Sequence, residues 1–255
     1  MVQLLWNRRG EVIPSSPPTH MISLGNFFFK YRNGLFPLAI VLLLVPSPHV
    51  FPDWRIAALV GAGLVLIGQI LRAATVGLEY IVRGGREGKV YADDLVTGGM
   101  FNHSRNPLYV GNYLGILGAV VASNSLIAMS VGGVFFLIAY LAITVAEENF
   151  LRGKFGVAYD AYCADVPRFS PRLKGFGATL LASQFHWRRL LVKEYGTMFV
   201  SLAGIPLILL FTRHHHYDLP WWKDGWDLAL LVTVGILLAG YLAARWLKKS
   251  RRVTE

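Results

Sequence analysis

Apolar residues in this chain come in long blocks rather than alternating with polar ones. Six stretches, about 34–50, 54–80, 107–123, 125–146, 195–211 and 226–246, carry almost no charge. A helix crosses the hydrocarbon core with about 20 apolar residues. The blocks therefore predict an all-α integral membrane protein with about six transmembrane helices. Ahead of them, Phe27, Phe28 and Phe29 stand beside Lys30 and Arg32, the make-up of an interfacial segment. A polar, basic stretch from Glu147 to Glu194 divides the fourth block from the fifth. Within it Phe150, Leu151, Phe155, Tyr159 and Tyr162 recur at helical spacing, which predicts an amphipathic helix on the membrane surface. Four regions follow: an N-terminal interfacial segment 1–33, a membrane core 34–173, a cytoplasmic linker 174–194, and two C-terminal helices with a basic tail over 195–255.

Composition narrows the class. The chain is 54% hydrophobic and 16% charged, with a mean hydropathy of +0.46. Soluble domains carry about 25% charged residues, so a disordered chain is excluded and the composition argues against an ordinary soluble domain. The net charge of +10 would point to nucleic acid in a soluble protein. Its distribution points elsewhere. Of the 25 Lys and Arg, all but Arg55, Arg72, Arg213 and Lys223 fall on one side of the six-helix arrangement. By the positive-inside rule that side is cytoplasmic and holds both termini. The expected partner is then the lipid bilayer, with no nucleic acid. The first thirty residues hold Arg8, Arg9 and a Pro-rich stretch without an apolar h-region, so no cleavable signal peptide is expected. Cys163 is the single cysteine, which excludes an internal disulfide and any Cys-rich zinc site, and it is expected to be inert.

Only Ser123-Asn124-Ser125 joins the third block to the fourth, so the two form an antiparallel hairpin. At ~1.5 Å per residue, Arg105–Tyr109 and Glu147–Glu148 should then meet at the cytoplasmic interface, with the glutamates about a turn or more further out. Pro107 suits the first turn of a helix, and Asn106 before it can cap the exposed amides. Gly111, Gly115 and Gly118 read as close helix packing. Glu147 and Glu148 stand near the C-terminal end of a helix, where the dipole disfavours acids. That hints at function, or at a helix running on through Tyr162. Arg72 lies inside the second block, with Gln69 and Glu79 near the same face. It is either functional or snorkelling to the headgroups. His214-His215-His216 and Asp218 have metal-ligand chemistry. Three successive histidines converge poorly on one ion, so a solvated loop beside Trp221, Trp222 and Trp226 is expected and no metal site.

Together these motifs resemble the isoprenylcysteine carboxyl methyltransferase and phospholipid methyltransferase family. The resemblance rests on Arg105-Asn106-Pro107-Leu108-Tyr109-Val110-Gly111, then Glu147-Glu148, then Phe155-Gly156 with Tyr159 and Tyr162, and last Val166-Pro167-Arg168-Phe169-Ser170-Pro171. It covers about 55–173 and leaves the N-terminal segment and the last two helices unassigned. It implies methyl transfer from S-adenosylmethionine to a lipophilic acceptor (carboxylate, thiol or amine) at the cytoplasmic face. His103, Asn106, Pro107, Tyr109, Gly111, Glu147 and Glu148 would hold the cofactor. Arg105, Tyr109 and Glu148 would be catalytic, and Arg72, Arg105 and Arg168 would meet the acceptor. The family's histidine is Asn106 here, which cannot serve as a base. Two other classes compete: a non-catalytic membrane protein retaining the fold, and an NADPH-dependent enzyme like the sterol reductases.

Overall fold

A computed structural model describes residues 5–6, 12–13, 18–45, 47–79 and 90–250. Apart from a two-residue ladder pairing Leu5–Trp6 with Val12–Ile13, the described residues are helical or connecting. The long helices are α1 (Thr19–Ala39), α2 (Trp54–Leu78), α3 (Pro107–Ala122), α4 (Gly133–Phe155), α7 (Trp187–Phe211) and α8 (Trp226–Lys249). Two short ones, α5 (Val157–Asp165) and α6 (Phe176–Ala182), follow α4. Among the described residues four helical stretches are long and apolar enough to cross a membrane: Trp54–Leu78, Ala128–Phe155, Trp187–His216 and Trp226–Lys249. The apolar α3 has 16 residues, short of that length. Four of the six expected spans are thus matched by helices of sufficient length among the described residues.

The other departure is at the N-terminal side. The segment expected to lie in the interface is continuous helix through Ala39, packed along α4. Phe28 and Phe29 are buried against Ala139, Ala142 and Ile143. Two of the three phenylalanines that look interfacial in sequence thus have a helix to pack on, while Phe27 stays exposed. The buried pair's aromatic area is better placed there than in headgroups.

Glycine sets the spacing of α2 and α3. A Cβ on Gly61 would come within 2.5 Å of the Gly118 carbonyl oxygen, and one on Gly68 within 2.6 Å of that of Gly111. The two contacts lie seven residues apart on both helices. The seam therefore runs through Gly111 and Gly118, while a Cβ on Gly115 would meet nothing. The hairpin expected at Ser123–Ser125 is present. Asn124 turns it in the left-handed region at φ 55°. Its Oδ1 accepts from the Val50 and Phe51 amides at 3.1 and 2.8 Å. Beyond the turn, α4 runs past both glutamates to Phe155. Gly156, at φ 53°, then breaks it from α5.

After α5 the chain returns to the start of α3. The Arg105 amide donates to the Pro167 carbonyl at 2.9 Å, and the Arg172 amide to that of His103 at 2.8 Å. The C-terminal pair docks through α7, which packs on α2 and carries α8 on its other side. Arg189 anchors its first turn, donating to the Val76 and Gly77 carbonyls at 2.7 and 2.8 Å. At the opposite end of the bundle Arg213 is fully buried, 3.2 Å from Asp227 and 4.7 Å from the Trp54 ring.

Candidate active site

The start of α3, the end of α4, α5 and the turn after it converge at one end of the bundle. Tyr109 donates its hydroxyl to Glu147 Oε1 at 2.5 Å. Glu148 follows one residue later, about 100° around the helix, and faces a different set of groups. Its carboxylate takes a two-bonded fork from Arg168 at 2.7 and 3.0 Å. Arg105 stands 3.6 Å away, and Asn106 Nδ2 donates to it at 3.4 Å. Two guanidiniums share one buried carboxylate, so this corner carries a surplus positive charge.

Asn106 occupies the N-cap position of α3 but does not cap it. Its side chain makes no bond to the exposed amides. Nδ2 instead donates to Glu148 and, at 3.2 Å, to the Arg168 carbonyl. The Arg105 guanidinium also donates to Cys163 Sγ, which sets the one cysteine against the cluster.

Beside this cluster opens a cavity of about 1200 Å³. Ligand pockets typically span roughly 300–1,000 Å³, so it has room for two reactants. Aromatic rings form much of its wall: Phe101, Tyr109, Tyr140, Tyr159 and Tyr162. Tyr162 donates to the Phe101 carbonyl at 2.6 Å. Burial pushes the Tyr159 and Tyr162 phenols well above the ordinary tyrosine range, and the Glu148 charge raises both further. Both are neutral at physiological pH. Residues 90–96 close one side. Lys154 ties this strap to α4 through the Ala92 and Asp93 carbonyls, the latter at 3.1 Å.

Of the expected site residues, Arg72, Arg105, Asn106, Tyr109 and Glu147 line the cavity. Glu148, Arg168, His103, Pro107 and Gly111 stand outside its lining. Gly111 lets Arg72 pass, since a Cβ there would lie 2.6 Å from Arg72 Cγ. His103 is fully buried, with Nδ1 2.6 Å from the Arg172 carbonyl and Nε2 2.8 Å from Thr179 Oγ1. Both ring nitrogens are thereby engaged in pinning the loop before α3 to α6. His214 lies at the far end, 3.1 Å from Asp227 and stacked on Trp221. Among the described residues no three His, Cys, Asp or Glu groups converge as metal ligands.

Arg72 does not snorkel. Its guanidinium meets Glu194 on α7 in a fork at 2.8–3.0 Å, with both side chains buried. Its other terminal nitrogen donates to Asn112, which in turn bonds the Tyr140 hydroxyl. Sequence reasoning missed Glu194 and Tyr140. The available signal was a lone acid at the head of an apolar block, opposite an arginine inside another.

Comparison with known proteins matches the core of this arrangement. A family model described as phospholipid methyltransferase matches residues 56–158. The chain is 30% identical over 166 residues to the cobalt-zinc-cadmium resistance protein CzcN of Cupriavidus metallidurans, covering 64% of this chain and 74% of that protein. It is 28% identical over 156 residues to the nickel-cobalt-cadmium resistance protein NccN of Alcaligenes xylosoxydans xylosoxydans, covering 60% and 70%. No solved structure matches the chain.

Proposed function

The chain belongs to the phospholipid methyltransferase family, and on that premise we propose that it moves a methyl group from S-adenosylmethionine to a lipophilic acceptor at the cytoplasmic face of the membrane. The observation that carries this reading is the cavity in which Tyr109 and Glu147 meet beside the Arg105–Glu148–Arg168 cluster.

The lining fits the cofactor's chemistry. Glu147 is an acceptor-only group suited to ribose hydroxyls or an ammonium. Aromatic faces from Tyr109, Tyr159 and Tyr162 tolerate a sulfonium cation. When bound, the cofactor supplies an already activated methyl group. The protein's task is to orient two reactants and exclude water. Asn106, Tyr109 and Glu147 would hold the cofactor, and Pro107 starts the helix that presents them. Arg105 faces the cavity with its charge half-shared, so it would orient an electron-rich acceptor. Glu148 serves by fixing Arg105, Arg168 and Asn106 together. No general base is required for a carboxylate acceptor, which is consistent with Asn106 where the family pattern that the chain resembles has histidine. On this reading, any bearing on metal resistance, the role in the names of the two relatives, runs through the methylated product.

The test is calorimetric binding of S-adenosylmethionine to the purified protein. Wild type should bind, and Glu147→Gln should weaken binding at least tenfold. Absence of binding by the folded wild type, beside a working control, overturns the proposal.

A further inference from the structure

Helix α7 lies beyond the stretch that the family model matches, yet it supplies part of the cavity wall. Gly196, Thr197, Val200 and Ser201 line the space, as do Phe36 and Pro37 of α1. This is the deep end. At ~1.5 Å per residue, Tyr140 lies roughly 10 Å further along α4 than Glu147, and Asn112 roughly 4–5 Å further along α3 than Tyr109. Val200, which lines this end, is 69% exposed.

An arginine at such a depth would make this end cationic. Glu194 cancels that charge with a two-bonded fork to Arg72, and the pair then holds Asn112 and Tyr140 in the wall. One position here has no packing reason for its residue. Gly196 sits inside a helix, where glycine is disfavoured relative to alanine, and a Cβ there would meet nothing within 4 Å. The seam glycines of α2 and α3 are required by backbone contact. Gly196, the one glycine among the cavity's lining residues, leaves space in the cavity itself.

We propose that α7 forms the acceptor end of the methyl-transfer cavity. Glu194 acts there as a positioning and specificity-determining residue, pairing Arg72 so that this end accepts the uncharged, lipophilic part of the acceptor. The inference rests on the methyl-transfer reading above and assigns a role to the helix beyond the family core. The polar cofactor keeps the Tyr109–Glu147 end, and the two subsites are separable by mutation.

The experiment uses the full chain in nanodiscs with two probes. One is S-adenosylmethionine. The other is the fluorescent amphiphile 11-(dansylamino)undecanoate, scored as the saturable signal displaced by excess unlabelled undecanoate. Wild type should bind both. Gly196→Phe, which fills open space without a clash at Cβ, should weaken the amphiphile at least tenfold while leaving S-adenosylmethionine within about threefold. Glu194→Gln should do the same. The double reversal Arg72→Glu/Glu194→Arg should bring amphiphile binding back to within about threefold of wild type, a rescue that mere loss of folding would not give. The inference is overturned if wild type shows no displaceable signal, if Gly196→Phe leaves amphiphile binding unchanged, or if it weakens both probes equally. Wild type that binds the amphiphile but no S-adenosylmethionine overturns the methyl-transfer reading, and this inference with it.

Discussion

Adjacent carboxylates usually respond alike to neutralisation, but Glu147 and Glu148 should each lose a different property. Glu148 is 3% exposed and satisfies two guanidiniums and an amide. Glu148→Gln keeps the shape and removes the charge. Breaking a buried ion pair costs roughly 3–5 kcal/mol. Here the figure divides. The Arg168 side chain is 44% exposed and can return to water, so its share is discounted to roughly 1 kcal/mol. The Arg105 side chain is 12% exposed and cannot escape as easily, which leaves roughly 2 kcal/mol for an uncompensated charge. The total is about 3 kcal/mol. For a chain of this size it lowers the melting temperature by roughly 6–12 °C. Glu147→Gln keeps a hydrogen-bond acceptor for Tyr109 and relieves a buried charge of its desolvation. It should therefore change stability by less than about 1 kcal/mol while weakening S-adenosylmethionine. The assay pairs tryptophan-fluorescence melting in detergent with calorimetry on both variants. Equal melting shifts, or a larger shift for Glu147→Gln, would refute the division of roles.

Further expectations concern the frame around the site. Gly118→Leu drives its Cβ to 2.5 Å from the Gly61 carbonyl. It should destabilise by at least the roughly 1–3 kcal/mol typical of overpacking, read as a lower melting temperature. His103→Ala removes contacts to Arg172 and Thr179. It should cost about 2 kcal/mol with S-adenosylmethionine affinity within threefold, and an equal loss of affinity would put His103 in the site. The Tyr159 and Tyr162 phenols hold their protons more tightly folded than unfolded. Their contribution is complete below pH about 10 and lost as pH rises above it. Ultraviolet titration should therefore show tyrosinate appearing late, together with unfolding, and less alkaline loss in Tyr162→Phe.

Much of this site is legible in the sequence because it depends on spacing within regular helices. The three-residue turn at Asn124 sends α3 and α4 back side by side, which brings the start of α3 to the end of α4. Pro107 marks the helix start and Gly156 the break, since each has a backbone conformation to enforce. The rest is hidden for physical reasons. Neighbouring residues on a helix point about 100° apart, so Glu147 and Glu148 look equivalent in sequence while one faces a cavity and the other two arginines. Asn106 reads as a cap because local bonding is the default for asparagine at a helix start. A carboxylate 42 residues away captures it instead. The Arg72–Glu194 pair joins residues 122 apart, which no local pattern encodes. The N-terminal helix was obscured because polar and aromatic residues on its outer face mimic a surface segment.

The seam between α2 and α3 has a mechanical consequence. With bare backbones in contact at Gly61–Gly118 and Gly68–Gly111, rolling either helix would bring a neighbouring side chain against an opposing carbonyl. Sliding by one residue would do the same. The two helices thus behave as a single stiff blade. Any deformation of the bundle must then be taken up elsewhere, at the packing of α1 on α4 or of the α7–α8 pair on α2.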